Sequence, residues 1–182
     1  MAKYGLLVFP ERCTGCNACN IACASHNQLS MDVSYSRLEF LETGTYPNVK
    51  MEIIPVQCQH CDNAPCVSVC PTQATYKRED GIVEIDADKC IGCKYCMAAC
   101  PYEARQLNEN RVPEKCRWCP EMLEKGEQPA CSATCMNEVR LFGDLEDPNS
   151  QLNQELAKHD VYQLLEAKGT KPSIFYVKNN RR

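Results

Sequence analysis

Apolar side chains run along this chain in short, interrupted groups, and only some of those groups keep a period. Leu6 to Phe9 is a brief continuous apolar run. Ser34 to Leu41 and Val49 to Val56 flank Thr43-Gly44-Thr45-Tyr46-Pro47 and predict two strands linked by a turn. Thr75-Tyr76-Lys77 and Ile82-Val83-Glu84-Ile85 lie on either side of Asp80-Gly81, which is a hairpin signature. Past Phe142 the spacing changes. Asp144 to Asp147 with Pro148 predicts a turn, and Gln151 to Leu165 predicts a helix from Leu152, Leu156, Val161, Leu164 and Leu165. Ile174 to Val177 then predicts a closing strand. Short hairpins and short helices in this mixture indicate the α+β class. No stretch approaches the roughly 18 apolar residues that span a bilayer. Met1 to Pro10 has one lysine and no small-residue cleavage site, so no export signal is expected there and the chain is expected to be soluble by itself.

Large apolar side chains are too sparse to explain a stable core alone, with four Phe and one Trp in 182 residues. The same chain has 16 cysteines, a share that ordinary soluble domains do not reach and that demands disulfides or metal. Metal on thiolates contributes folding free energy directly and would make up the missing core. A net charge of -4 with interspersed signs argues against nucleic acid and supplies no polybasic membrane patch.

The cysteines fall into four groups of four, each closing on a three-residue gap. Cys13, Cys16, Cys19 and Cys23 read C-x2-C-x2-C-x3-C, and Cys90, Cys93, Cys96 and Cys100 repeat that spacing with Pro101 following. Cys58, Cys61, Cys66 and Cys70 widen the middle gap and are followed by Pro71, and Cys116, Cys119, Cys131 and Cys135 insert a longer segment there. Cysteines two residues apart on a tight loop can turn three sulfurs onto three corners of one 4Fe-4S cube. The cysteine after the three-residue gap enters a helix and points away, and in two-cluster ferredoxins it ligates the partner cluster. Zinc shares the C-x2-C spacing but favours two separated pairs over a triple with a trailing fourth. Disulfides fit poorly, because such closely spaced triples make bad partners for one another and no export signal is present.

Residues 55–105 therefore read as one contiguous two-cluster ferredoxin module. Its expected ligand sets are Cys58, Cys61, Cys66 with Cys100, and Cys90, Cys93, Cys96 with Cys70. The outer motifs are left to pair around it as a split module of residues 1–54 and 106–143. Their expected sets are Cys13, Cys16, Cys19 with Cys135, and Cys116, Cys119, Cys131 with Cys23. Four groups each closing a cluster alone is the alternative, and it is geometrically poor. Residues 144–182 are expected to wrap the modules without binding a cofactor.

Among other residues near the motifs, Lys94, Lys115 and Arg117 are candidates to stabilise reduced clusters, against the alternative of solvated surface charges. Trp118 is expected to shield its cluster from water. His60 and His26 lie near motifs, yet a full set of thiolates leaves no need for histidine ligands. His26 has a further reading beside a quinone at a membrane partner, with a plain surface histidine as the alternative. Gly15 and Gly92 fall inside cluster loops, where backbone is expected to approach sulfur. No Ser-His-Asp order, phosphate loop or G-x-G-x-x-G offers a competing enzymatic reading.

With these residues in hand, the chain resembles the four-cluster iron-sulfur subunits that accompany molybdopterin enzymes of the dimethyl sulfoxide reductase superfamily, such as polysulfide, tetrathionate, arsenate and dimethyl sulfoxide reductases. The resemblance rests on all four motifs in order, on Gln59-His60-Cys61-Asp62-Asn63-Ala64-Pro65-Cys66, on Asp88-Lys89-Cys90-Ile91-Gly92-Cys93, and on Phe142-Gly143-Asp144-Leu145 followed by Asp147-Pro148-Asn149-Ser150. Ala24 and Met136 depart from it, standing where many relatives have proline. It implies four 4Fe-4S clusters and a non-catalytic, electron-conducting role. The implied partners are a large molybdenum or tungsten subunit with bis(molybdopterin guanine dinucleotide) and a quinone-linked membrane anchor. Asn179-Asn180-Arg181-Arg182 closes the sequence without the membrane helix of a related formate dehydrogenase subunit, which implies the extrinsic type. Periplasmic placement by co-export with the catalytic subunit is implied, with the cytoplasm as the alternative. Two other readings share the motifs: a freestanding polyferredoxin, and an iron-sulfur subunit of a hydrogenase or formate-hydrogen complex.

Overall fold

The computed structural model describes residues 2–179, so Asn180 to Arg182 of the expected extrinsic terminus lie outside the described residues. The chain begins with β1 (Tyr4–Val8), then α1 (Ala18–Asn27), which starts inside the first cysteine motif. β2 (Ser36–Thr45) and β3 (Asn48–Gln57) form the first hairpin. The second motif leads into α2 (Pro65–Ser68), the short hairpin of β4 (Thr75–Lys77) and β5 (Val83–Ile85), and α3 (Tyr95–Ala98) inside the third motif. β6 (Gln106–Leu107) and β7 (Pro113–Glu114) make another small hairpin. The fourth motif includes α4 (Pro120–Leu123) and α5 (Ala130–Ala133) and runs into β8 (Arg140–Asp144). The tail adds α6 (Gln151–Leu156), β9 (Val161–Tyr162) and β10 (Ile174–Val177). The content is mixed α and β, as expected.

β2 and β3 pair antiparallel from Ser36 opposite Gln57 to Thr45 opposite Asn48, reaching past the predicted strands on both sides of the turn. β4 and β5 pair from Thr75 opposite Ile85, as the predicted hairpin. α2 packs against α3, and α1 packs against α5 across more than a hundred intervening residues.

The principal sheet has the order β8-β1-β10-β9. β1 is antiparallel to β8 and parallel to β10, with Leu6 opposite Ile174. The apolar run that began the chain is thus an interior strand buried on both faces, which is why it reads as continuous rather than alternating. Leu6 and Val8 join Phe142, Ile174 and Tyr176 in the larger core, and that core also takes in Cys23, Cys58, Cys61, Cys66, Cys96 and Cys116. Leu7 and Phe9 face the other way, onto Leu152 and Val177.

The tail differs from expectation in two respects. The helix predicted over Gln151 to Leu165 ends at Leu156, because Val161 and Tyr162 leave helical geometry to pair with Val177 and Tyr176. Strand hydrogen bonds replace helical ones there, and Leu165 stays exposed despite its spacing. The tail also does more than wrap. It supplies an interior strand, and its approach segment is tied to the second motif by Asp62 N to Lys171 O at 2.8 Å and Asn63 N to Thr170 O at 3.0 Å.

The Phe142-Gly143-Asp144-Leu145 segment has a local explanation. A Cβ at Gly143 would stand 2.8 Å from Leu152 Cβ, so glycine lets α6 lie close on the sheet. Ser150 caps that helix by accepting from Asn153 N at 3.2 Å while donating to Asp144 O at 2.7 Å.

Candidate metal centres

Each cysteine loop turns tightly because some of its residues adopt positive φ. Gly15 and Gly92 occupy equivalent places in the first and third motifs at φ +72 and +68. At Gly92 a Cβ would meet only Arg111 O at 3.4 Å, so the glycine answers the dihedral rather than a close approach of sulfur. His60 and Trp118 take positive φ in the second and fourth loops without being glycine. Both are locked in place by packing. The Trp118 ring stacks on His60 with centroids 4.0 Å apart and meets Phe142 edge-on at 5.2 Å.

The fourth cysteine of every motif lies beside the triple of another. Cys13, Cys16, Cys19 and Cys135 line one cavity of about 280 Å³. Cys70 shares a second cavity with Cys90, Cys93 and Cys96. Burial, and then the nearby Cys58, pushes the Cys61 thiol up to about 12, with Cys66 and Cys100 completing its sulfur neighbours. Burial likewise pushes Cys23 up to about 12, reinforced by Cys131 and Cys119. Cys116 is raised well above the ordinary thiol value by burial and then by Cys131, Cys23 and Cys58. Low dielectric and adjacent sulfurs disfavour the thiolate in every one of these cases.

Among the described residues no three His, Cys, Asp or Glu side chains converge tightly enough to grip one metal ion. The two cavities instead place four thiols each around a volume. A second observation bears on what fills such a space. Gln57 Nε2, His60 Nε2, Arg105 Nη2, Trp118 Nε1 and Ser132 Oγ are buried without a hydrogen-bond partner. An unsatisfied buried polar group costs about 1–3 kcal/mol. Four of these five residues are sequence neighbours of motif cysteines, and the fifth, Arg105, faces Cys66 and Cys96. Sulfide and thiolate acceptors would answer them, so these residues fit iron-sulfur clusters. Further donors already reach sulfur: Thr75 N to Cys70 Sγ and Val139 N to Cys135 Sγ, each at 3.4 Å, and Asn27 Nδ2 to Cys23 Sγ at 3.6 Å.

The candidate cations divide. Lys94 is exposed. Arg117 is half-exposed and engaged with Glu121 at 2.6 Å and Glu84 at 3.4 Å. Lys115 is only 2 % exposed and donates to Cys116 O at 2.9 Å and to Val83 O, so it is no surface charge. Two further buried cations escaped sequence reasoning, Arg105 and Arg140, each 4 % exposed. They stand five residues past Cys100 and Cys135, so the internal repeat held a signal for them. Arg140 donates to Gln57 Oε1 and reaches Cys19 Sγ at 3.8 Å. His60 is buried, its Nδ1 accepts from Val83 N at 3.1 Å, and burial with nearby Lys115, Arg105 and Lys77 holds it well below the usual histidine range and neutral. His26 is exposed.

Comparison with known proteins supplies two family matches, both described as 4Fe-4S dicluster domains, over residues 12–74 and 49–145. The B component of polysulfide reductase from Wolinella succinogenes is 42 % identical over 98 % of this chain and 96 % of its own length. The B component of tetrathionate reductase from Salmonella typhimurium is 40 % identical over 96 % of this chain and 72 % of its own length. That of selenate reductase from Mesobacillus selenatarsenatis is 37 % identical, with 96 % and 72 % covered.

Proposed function

Because the chain belongs to the family of iron-sulfur B subunits of dimethyl sulfoxide, polysulfide, tetrathionate and selenate reductases, we propose that it conducts electrons through four 4Fe-4S clusters in a fixed spatial order. The single observation that carries this reading is that each motif's fourth cysteine lies beside the triple of another motif. In this reading cluster 1 is held by Cys13, Cys16, Cys19 and Cys135, and cluster 4 by Cys116, Cys119, Cys131 and Cys23. Cluster 2 is held by Cys58, Cys61, Cys66 and Cys100, and cluster 3 by Cys90, Cys93, Cys96 and Cys70. Residues 55–105 form the contiguous module, residues 1–54 with 106–143 the split one, and residues 144–182 the tail that joins them.

The order follows from neighbours across the two modules. Cys116 of cluster 4 faces Cys58 of cluster 2, and Cys96 of cluster 3 faces Cys66 of cluster 2. Arg140 faces both Cys131 and Cys19, which supports clusters 4 and 1 as neighbours. The path is therefore 1-4-2-3. Exposure supports it, since Cys16 of cluster 1 and Cys93 of cluster 3 are exposed while all four cysteines of cluster 4 are buried. Electrons enter at one exposed end and leave at the other. When bound, each cluster supplies one-electron redox chemistry, and the protein supplies thiolates, hydrogen bonds to sulfur and exclusion of water.

The proposed partners are a molybdenum or tungsten catalytic subunit with bis(molybdopterin guanine dinucleotide) at one end and a quinone-linked membrane anchor at the other. Among the described residues no helix is long and apolar enough to cross a membrane, so membrane attachment is assigned to a partner, as is periplasmic placement by co-export.

The anaerobically purified complex should contain sixteen irons in this chain, four for each of the four clusters. Cys23→Ala should disturb the paramagnetic signal of the Cys116, Cys119 and Cys131 cluster and spare that of Cys13, Cys16 and Cys19. The opposite loss would show that each motif closes its own cluster. A preparation free of both molybdenum and tungsten would remove the catalytic partner from this account.

A further inference from the structure

Among the described residues three cations are buried, and no carboxylate pairs with any of them. Each occupies a gap between two thiol sets. Arg140 lies between Cys19 and Cys131, with its guanidinium held by Gln57 Oε1 and aimed at Cys19 Sγ. Lys115 lies where the fourth loop meets the second, its Nζ held by Val83 O and Cys116 O, and its charge reaches Cys66. Arg105 lies between Cys66 and Cys96, anchored by Nη1 donating to Thr75 Oγ1 at 3.3 Å, with Nη2 left unpartnered.

We propose that Arg140, Lys115 and Arg105 are junction cations, one in each gap of the path 1-4-2-3, and that each stabilises the reduced state of the two clusters it separates. The proposal rests on the ligand pairing set out under the proposed function. A cluster with four thiolates is an anion that gains a further negative charge with each electron. A positive charge held beside it lowers the cost of that electron, and low dielectric strengthens the effect. A cation placed between two clusters acts on both at once. The two effects are independent, so both potentials rise while the repulsion between electrons on neighbouring clusters is unchanged. No bond or proton changes; one electron arrives from one redox partner and one departs to the other.

Geometry supports charge rather than fastening as the role. Gln57 and Thr75 are neutral, so neither they nor, among the described residues, any carboxylate compensates the guanidinium groups, whose neighbours are Cys131 and Cys19 at one junction and Cys66 and Cys96 at the other. A buried cation left without an anion is strongly destabilising, which makes the clusters the fitting counter-charges.

The test is a redox titration of the anaerobic full-length protein in its complex, with each cluster followed by its own paramagnetic signal. In Arg140→Met, clusters 1 and 4 should become harder to reduce by about tenfold in the reduced-to-oxidised ratio at fixed potential, equivalent to about 59 mV for one electron. Clusters 2 and 3 should hold. Arg105→Met should produce the converse, moving 2 and 3. Arg140→Lys, which keeps the charge and loses the fork, should leave clusters 1 and 4 close to their original potentials. No movement in the methionine variants, or an equal fall in all four clusters, would overturn the proposal. If Arg140→Met does not assemble, Arg140→Lys decides, since a fall there as large as the tenfold effect rejects charge as the cause. Movement confined to a different pair of clusters would instead indict the pairing, which iron content and Cys23→Ala read separately.

Discussion

At Cys23 and Cys61 the protein holds thiols whose burial and sulfur neighbours push them up to about 12. Iron takes thiolate, so a thiol protonated at neutral pH must release its proton when it ligates, and assembly is favoured as pH rises toward that value. Reconstitution from iron and sulfide at pH about 7.5, inside the range where such thiols stay protonated, should therefore acidify a weakly buffered solution beyond a protein-free control. Equal acidification in both would mean that the thiols are already ionised in the folded chain. Trp118 shows a different balance. Its burial is as a shield requires, yet its stack on His60 also fastens the fourth loop to the second. A shielding role was legible from its place between two cysteines, whereas the stack required both loops to be in view.

Among the described helices, α6 is the one whose N-cap side chain accepts a hydrogen bond from its first turn. Ser150 satisfies an otherwise unpaired N–H of the first turn and also tethers the helix to β8 through Asp144 O. Ser150→Ala should cost about 1 kcal/mol and speed hydrogen exchange of the amides in 151–156 about fivefold. Unchanged exchange would assign the helix to Leu152 packing and the Asn153 side-chain bonds to Asp144 O, Leu145 O and Asp147 O. Hairpins joined by short turns were readable in the sequence because their pairing is local: β4 with β5, and β2 with β3. The four cysteine groups were readable for the same reason, since each triple is fixed by its own loop. What escaped was non-local. The run Leu6 to Phe9 gave no hint that its neighbours are β8 and β10, and the Leu and Val spacing past Leu156 looked helical because nothing nearby announced that Val161 would pair with Val177. Arg105 and Arg140 left one trace, their shared place five residues past Cys100 and Cys135, but only the folded gaps reveal what surrounds them.

For the molecule as a whole, six cysteines belong to the larger core together with Leu6, Val8 and Tyr176, so iron is expected to be part of what holds the fold. Removing it with a chelator under reducing conditions should abolish near-UV ellipticity and ordinary exchange protection across the cysteine loops and the principal sheet together. Survival of either signal would show that the apolar core stands without metal. The pairing of β1 with β10 carries a consequence for biosynthesis. β1 has its parallel neighbour far downstream in residues 174–177, and β8 also lies far downstream. At ordinary elongation speeds of about 5–20 residues per second, Leu6 to Phe9 stays without that neighbour for roughly ten to thirty seconds. Meanwhile Cys13, Cys16 and Cys19 stand without Cys135, which shares their cavity. Until residues 174–177 emerge, the apolar run Leu6 to Phe9 has nothing to pair with on that side, which makes the run a place for a holding chaperone during synthesis.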